Sequence, residues 1–292
     1  MPNPRLIELA ERQKNMNLPK EKIERTKQRT QNPVAFQNTT FPDLPNESFI
    51  FSYDGPHKDY FQELIAKSNE RFKGTRAEIP TGKKGEVQNM YAVKRMALIS
   101  TIYNNQNLRD YGLLPITPMQ DECLLKEGKL PHPEKYWEDL ALLLYDTNGE
   151  NQKEALALKE EIARHKSELG LSQSDLESRL VIVGAGAEPD KNMNYGVKPI
   201  IIPGITFIYP HEILNKTGEN HNFEYGLDRG LPAINETGKG KRTLYMPSES
   251  DIGLRVLCRF RGLDLDARNR NLASPDDNSR ANVCAEGTRA KN

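Results

Sequence analysis

From Ser250 to Ala285 the chain runs 36 residues without a single Lys, Glu, Gln, Met or Trp. Those five types supply 66 of the 292 residues, so a window of that length would lack them all in roughly one draw in 10,000. Inside the window, Val256 to Ala267 alternates. The odd positions, Leu257, Arg259, Arg261, Leu263, Leu265 and Ala267, use a narrow vocabulary. The even positions, Val256, Cys258, Phe260, Gly262, Asp264 and Asp266, share no chemistry. A period of two places side chains on opposite faces of an extended segment. It therefore predicts a strand with Leu257, Leu263, Leu265 and Ala267 inward and the even set outward. A strand needs a partner, so the chain is bound to a sheet-containing fold.

The missing residues form a particular set. In the standard genetic code they are the only amino acids whose codons all end in a purine. Codons ending in a pyrimidine encode the other fifteen and never these five. Packing excludes no set that joins Met to Lys, so the gap reads as a coding rule.

On these residues, together with Leu244-Tyr-Met-Pro-Ser-Glu, Gly253-Leu-Arg and Leu272-Ala-Ser, the chain resembles the variable proteins of diversity-generating retroelements, in particular the archaeal type. The likeness is specific over about Pro199 to Gly287. In that family a reverse transcriptase mutates template adenines, turning Asn codons into codons of any two bases and a pyrimidine. The resemblance implies an α+β, C-type lectin-like domain of the subset similar to formylglycine-generating enzyme, with helical N-terminal additions. It also implies one exposed surface of variable side chains: Val256, Cys258, Phe260, Gly262, Asp264 and Asp266, with a second cluster at Asn269, Arg270, Asn271, Ser274, Asp276 and Asn278. The implied partner is a macromolecular ligand, a protein, with Phe260 as an aromatic anchor among small polar side chains.

Charge balances at 41 basic and 41 acidic residues, which leaves no electrostatic footprint for a nucleic-acid backbone. The tail is locally basic. Its Arg255, Arg259, Arg261, Arg268, Arg270 and Arg280 read as forks that satisfy backbone carbonyls and carboxylates. Three cysteines, Cys123, Cys258 and Cys284, make no disulfide framework and favour a reducing compartment. No apolar segment has the length of a signal or membrane span, so a soluble, cytoplasmic protein is expected.

Residues 1–57 read as a polar helical arm and a Pro-rich irregular linker; residues 58–292 read as the lectin-like domain. Within that domain helices are expected over 58–180, strands and long loops over 181–249, and the variable region over about 250–285. The helices are placed at Asp59 to Phe72, Asn89 to Tyr103, Tyr136 to Tyr145 and Asn151 to Leu169, followed by one capped by Ser172 with Asp175 in its first turn. Strands are expected at Leu180-Val-Ile-Val, Pro199-Ile-Ile-Ile and Ile205-Thr-Phe-Ile-Tyr, with a long loop over Asn215 to Lys241.

Val181-Ile-Val-Gly-Ala-Gly starts like a dinucleotide fingerprint. Its third glycine position is Pro189, and no helix follows, so it reads as a strand ending in a turn. Gly238-Lys-Gly lacks the upstream Gly and the following Ser or Thr of a phosphate loop. His211-Glu212 with His221 is poor metal-ligand spacing. Asp264, Asp266, Asp276 and Asp277 stand at or among exchangeable positions, which suits no obligatory calcium site. No catalytic residue, cofactor or metal is expected. An enzyme on the related scaffold, using Cys284 or Cys258, stays open as the alternative, as does a structural protein with a chance bias.

Overall fold

The computed structural model describes residues 48–285, apart from 54, 56, 82–86, 261–262, 269–270 and 275–278. In chain order the elements are β1 (Ser48–Ile50), α1 (Lys58–Arg71), α2 (Ala92–Tyr103), α3 (Gln106–Asp110), β2 (Leu113–Pro115), α4 (Pro118–Lys126) and β3 (Trp137–Leu144). Then come α5 (Gln152–Arg164), α6 (Gln173–Glu177), β4 (Leu180–Val183), β5 (Gly186–Pro189), β6 (Val197–Ile200), β7 (Phe207–Pro210), β8 (Asn220–Phe223) and β9 (Arg242–Tyr245). The chain closes with β10 (Leu254–Arg259), β11 (Leu265–Asp266), β12 (Ser279–Arg280) and β13 (Asn282–Ala285). The fold class is mixed α+β with several sheets.

Local rules account for many of these elements. Helix α5 turns Ala155, Leu158 and Ile162 into the core at helical spacing. Ser172 and Asp175 form a reciprocal capping box at the start of α6. Thr117 and Gln120 do the same for α4, with Pro118 at its first position. After Val183, Gly184 turns the chain at φ +71° straight into the β5–β6 hairpin, so no helix follows that strand.

The main sheet runs β7-β4-β3-β10-β11-β9-β8, and β12 also pairs with β3. Strands β3 and β10 are antiparallel at its centre, with an irregularity between Leu257 and Cys258. Each face lies against its own core. One contains Leu142, Leu144, Ile182, Leu254 and Val256, packed with α2 and α5. The other contains Ala141, Leu143, Val181, Leu257, Leu265 and Leu244, packed with Leu124 of α4. A third core joins α1 and the far side of α2 to the small sheet β1-β13-β2. Helix α2, lying between cores, is buried on every side from Ala92 to Ile102.

Several expectations are corrected. Residues 136–145 contain strand β3 rather than a helix. Their unbroken apolar run suits a strand covered on both faces as well as it suits a buried helix, and pairing to β4 and β10 decides it. The span 58–180 therefore holds β2 and β3 as well as helices. Ser48–Ile50, placed in the irregular linker, pairs with β13. The loop over 215–241 contains β8. The arm before residue 48 lies outside the described residues.

Candidate ligand-binding face

Register across the sheet fixes which tail residues are neighbours. Cys258 stands opposite Asp139 of β3 on one side and Asp266 of β11 on the other, and Asp266 stands opposite Tyr245 of β9. Residues paired directly across strands share a face. Asp139, Cys258, Asp266 and Tyr245 thus form one row. Phe260 lies one step beyond Cys258 and stacks on Trp137 at 5.1 Å between ring centroids, 25° between planes. Tyr245 approaches the same Phe260 ring at 5.8 Å. Of the even-numbered residues, Cys258, Phe260 and Asp266 are thereby brought together.

That face is not open throughout. Val256 and Cys258 are fully buried and Asp266 is 6% exposed, against their expected places on the variable surface. Val256 fails because α2 and the tail's own Leu272 pack in the same core. Cys258 and Asp266 lie in the interior row of the sheet, between Asp139 and Tyr245. Leu257, Leu265 and Ala267 are buried as expected. Leu263 is not: it is partly exposed, at φ +63°, in the turn where its N–H donates to the Phe260 carbonyl at 2.8 Å.

Phe260 and Asp264 are partly exposed, as are Asn271 and Ser274. Asp264 is held in place: its Oδ1 accepts from the Thr243 N–H at 2.6 Å, and its carbonyl accepts from the Phe260 N–H. The Asn271 side chain accepts from the Ala273 N–H and the Ser274 hydroxyl, each at 3.0 Å. Gly262, Asn269, Arg270, Asp276 and Asn278 fall outside the described residues, as do Arg261 and Asp277.

Among the described residues, the tail thus alternates partly exposed positions with buried anchors. The anchors are β10, then Leu265 to Ala267, then Leu272, then Ser279 onward. Leu272 also offers its carbonyl to the Val93 N–H at 3.0 Å, satisfying a donor in the first turn of α2. Ser279 exchanges hydrogen bonds with the Met90 backbone just before that helix.

Two of the tail arginines, Arg255 and Arg259, act as forks within the protein. Arg259, fully buried, donates through Nε to both Asp121 oxygens and through Nη1 to the Pro133 carbonyl at 2.7 Å. Burial alone would lower its pKa, but the charge and hydrogen bond of Asp121 outweigh this and raise it. Arg255 donates to the Arg268 carbonyl at 2.9 Å and pairs with Asp251. Nearby, Arg242 grips Glu122 through two parallel hydrogen bonds of 2.6 and 2.7 Å. Glu138 accepts from Arg95 at 2.6 Å and from the backbone and side chain of Asn282 at 2.9 and 2.7 Å, tying β13 to the main sheet. Burial pushes the Glu138 carboxyl up to about 7, against the pull of Arg95 and Arg259.

No family model, no curated protein and no solved structure matches this chain. Cys258 and Cys284 are both buried, Cys284 against the Gln120 side chain at 3.5 Å. Among the described residues no three His, Cys, Asp or Glu side chains are grouped to hold a metal. No helix among the described residues is long and apolar enough to cross a membrane.

Three members of the face were not placed on it from the sequence: Trp137, Tyr245 and Arg268, the last read as a fork within the protein. Trp137 was concealed by the helical reading of its segment. Arg268 had a legible signal, since it is the next even position after Asp266. Its guanidinium lies over the Tyr245 ring, 4.1 Å from the centroid.

Proposed function

We propose that this chain is a ligand-binding protein of the retroelement-diversified kind, built on a C-type lectin-like framework and directed at a protein partner. The observation that carries the reading is the missing alphabet of Ser250 to Ala285. Burial does not account for it. The stretch buries Arg255, Arg259, Asp266, Arg280 and Asn282, so charge and polarity are admitted, while Met, which suits any core, is missing.

The anchored spans supply a physical reason for tolerance. A half-exposed side chain between buried anchors can be exchanged at little cost to stability. The binding face in this reading comprises Phe260, Asp264, Asn271 and Ser274, beside Trp137 and Tyr245 from earlier strands. Val256, Cys258 and Asp266 belong to the framework. A framework already folded limits the ordering entropy lost on binding.

The test is the nucleotide sequence of the locus. The reading expects a nearby near-copy of the segment encoding the tail, carrying adenines where the two copies differ. It also expects pyrimidine-ending codons at Gly262, Arg270 and Ser274, the exchangeable positions whose amino acids allow a purine there as well. A locus without a near-copy, or differences that do not fall on adenines, overturns it.

A further inference from the structure

The terminal nitrogens of Arg268 hold no hydrogen bond among the described residues, although the side chain is held in place at its base. Its guanidinium stacks on Tyr245 at 4.1 Å. Its backbone N–H donates to Asp266 Oδ1 at 2.7 Å, and its carbonyl accepts from Arg255 at 2.9 Å. Among the described residues Arg268 forms one ion pair, Nε to Asp266 Oδ1 at 3.7 Å, beyond hydrogen-bond distance. Nε is buried and makes no hydrogen bond, while the side chain as a whole stays 38% exposed.

We propose that Arg268, on its Tyr245 platform, is an anion-receiving fork of the binding face, and that it takes an Asp or Glu carboxylate of a protein partner whose neighbouring apolar side chains meet Phe260 and Trp137. This rests on the binding-protein reading above and names the partner chemistry of the same face. The planar guanidinium matches a carboxylate with two parallel N–H···O bonds, a geometry an ammonium cannot reproduce. Stacking on Tyr245 restricts the side chain before binding, so less rotamer freedom is lost when the partner arrives. Asp266 meets the guanidinium only as a 3.7 Å ion pair at Nε, while its Oδ1 accepts from the Arg268 N–H. Carboxylate is favoured over phosphate because the neighbouring Asp266 charge opposes a dianion more than a monoanion.

Trp137 is the only tryptophan in the chain and stacks on Phe260, so its fluorescence reports this face. The folded protein is titrated with acetyl-Leu-Glu-Leu-amide, with the Gln counterpart of that peptide, and with inorganic phosphate. The expected result is a saturable change with the Glu peptide, with the Gln peptide and phosphate each weaker by roughly tenfold or more. Arg268→Lys keeps the charge and loses the fork; it is expected to weaken the Glu peptide by about tenfold at an unchanged melting temperature. No saturable response, equal binding of the Gln peptide, equal or tighter binding of phosphate, or an unaffected Arg268→Lys variant each overturns the assignment. The titration judges the fork alone, whereas the locus sequence judges the retroelement reading, so the two can fail separately.

Discussion

Strand β10 and the turn that follows it carry the same two-residue alternation and the same restricted alphabet, yet they meet solvent differently. From Leu254 to Arg259 both faces are buried. From Phe260 to Asp264 every described side chain is partly exposed. Alternation therefore assigned residues to faces but not faces to water. What covers β10 comes from far away in the chain: α2 packs on Val256, and Asp121 of α4 receives Arg259. Phe260 stands where β10 ends, flanked among the described rings by Trp137 and Tyr245.

The largest expected effect falls on the buried side of this comparison. Replacing Arg259 with Leu strands Asp121 as an unpaired charge in the interior. It is expected to cost about 3–5 kcal/mol in chemical denaturation, and a second change, Asp121→Leu, should recover much of that. An Arg259→Leu variant that keeps its full stability would show that β10 is not held from below by this pair.

A second test uses pH. The Glu138 carboxyl sits at about 7 in the folded protein against 4.5 ordinarily, so folding favours its protonated form. Its contribution is present in full below about pH 4.5 and is lost as pH climbs toward 7, a change on the order of 3 kcal/mol. Glu138→Gln should flatten the stability profile over that window, as followed by denaturant midpoints at several pH values. An unchanged slope would assign the dependence to another group.

On the open side the expected effects shrink. Phe260→Ala removes a stacked ring, but one already partly in water. A loss of about 1–2 kcal/mol is expected, with a shift in Trp137 emission. A loss as large as that of Arg259→Leu would place Phe260 with the framework. Leu263 adopts the left-handed conformation that Asn tolerates better. Leu263→Asn should raise the denaturant midpoint by an amount equivalent to about 0.5–1 kcal/mol, the smallest effect here and the only stabilising one.

Legibility followed sequence distance. Helix α5, the Ser172–Asp175 cap and the strand at Leu180–Val183 were readable because each is specified by residues within one turn or one strand. The grouping of Cys258 with Phe260 and Asp266 was readable for the same reason. Strand β3 was not, because an apolar run buried on both faces has no period to separate strand from helix. Arg259 was readable as a fork, but its partner is 138 residues earlier. Leu263 was placed inward because the alternation was carried through a turn that interrupts it. Arg268 was read as a fork turned to the protein itself, because the alternation was stopped one residue short of it.

The pairing of β1 with β13 and the hold of Leu272 on the head of α2 bear on synthesis. A ribosome releases residues 48–103 long before 272–285 exist, so the earliest segments emerge without the pieces that complete them. Helix α2 must wait with its opening amide unanswered, and the small sheet must wait for its middle strand. Folding of this chain is thus set to finish after translation has passed residue 285, and a nascent chain arrested near residue 250 should remain open to protease across α2.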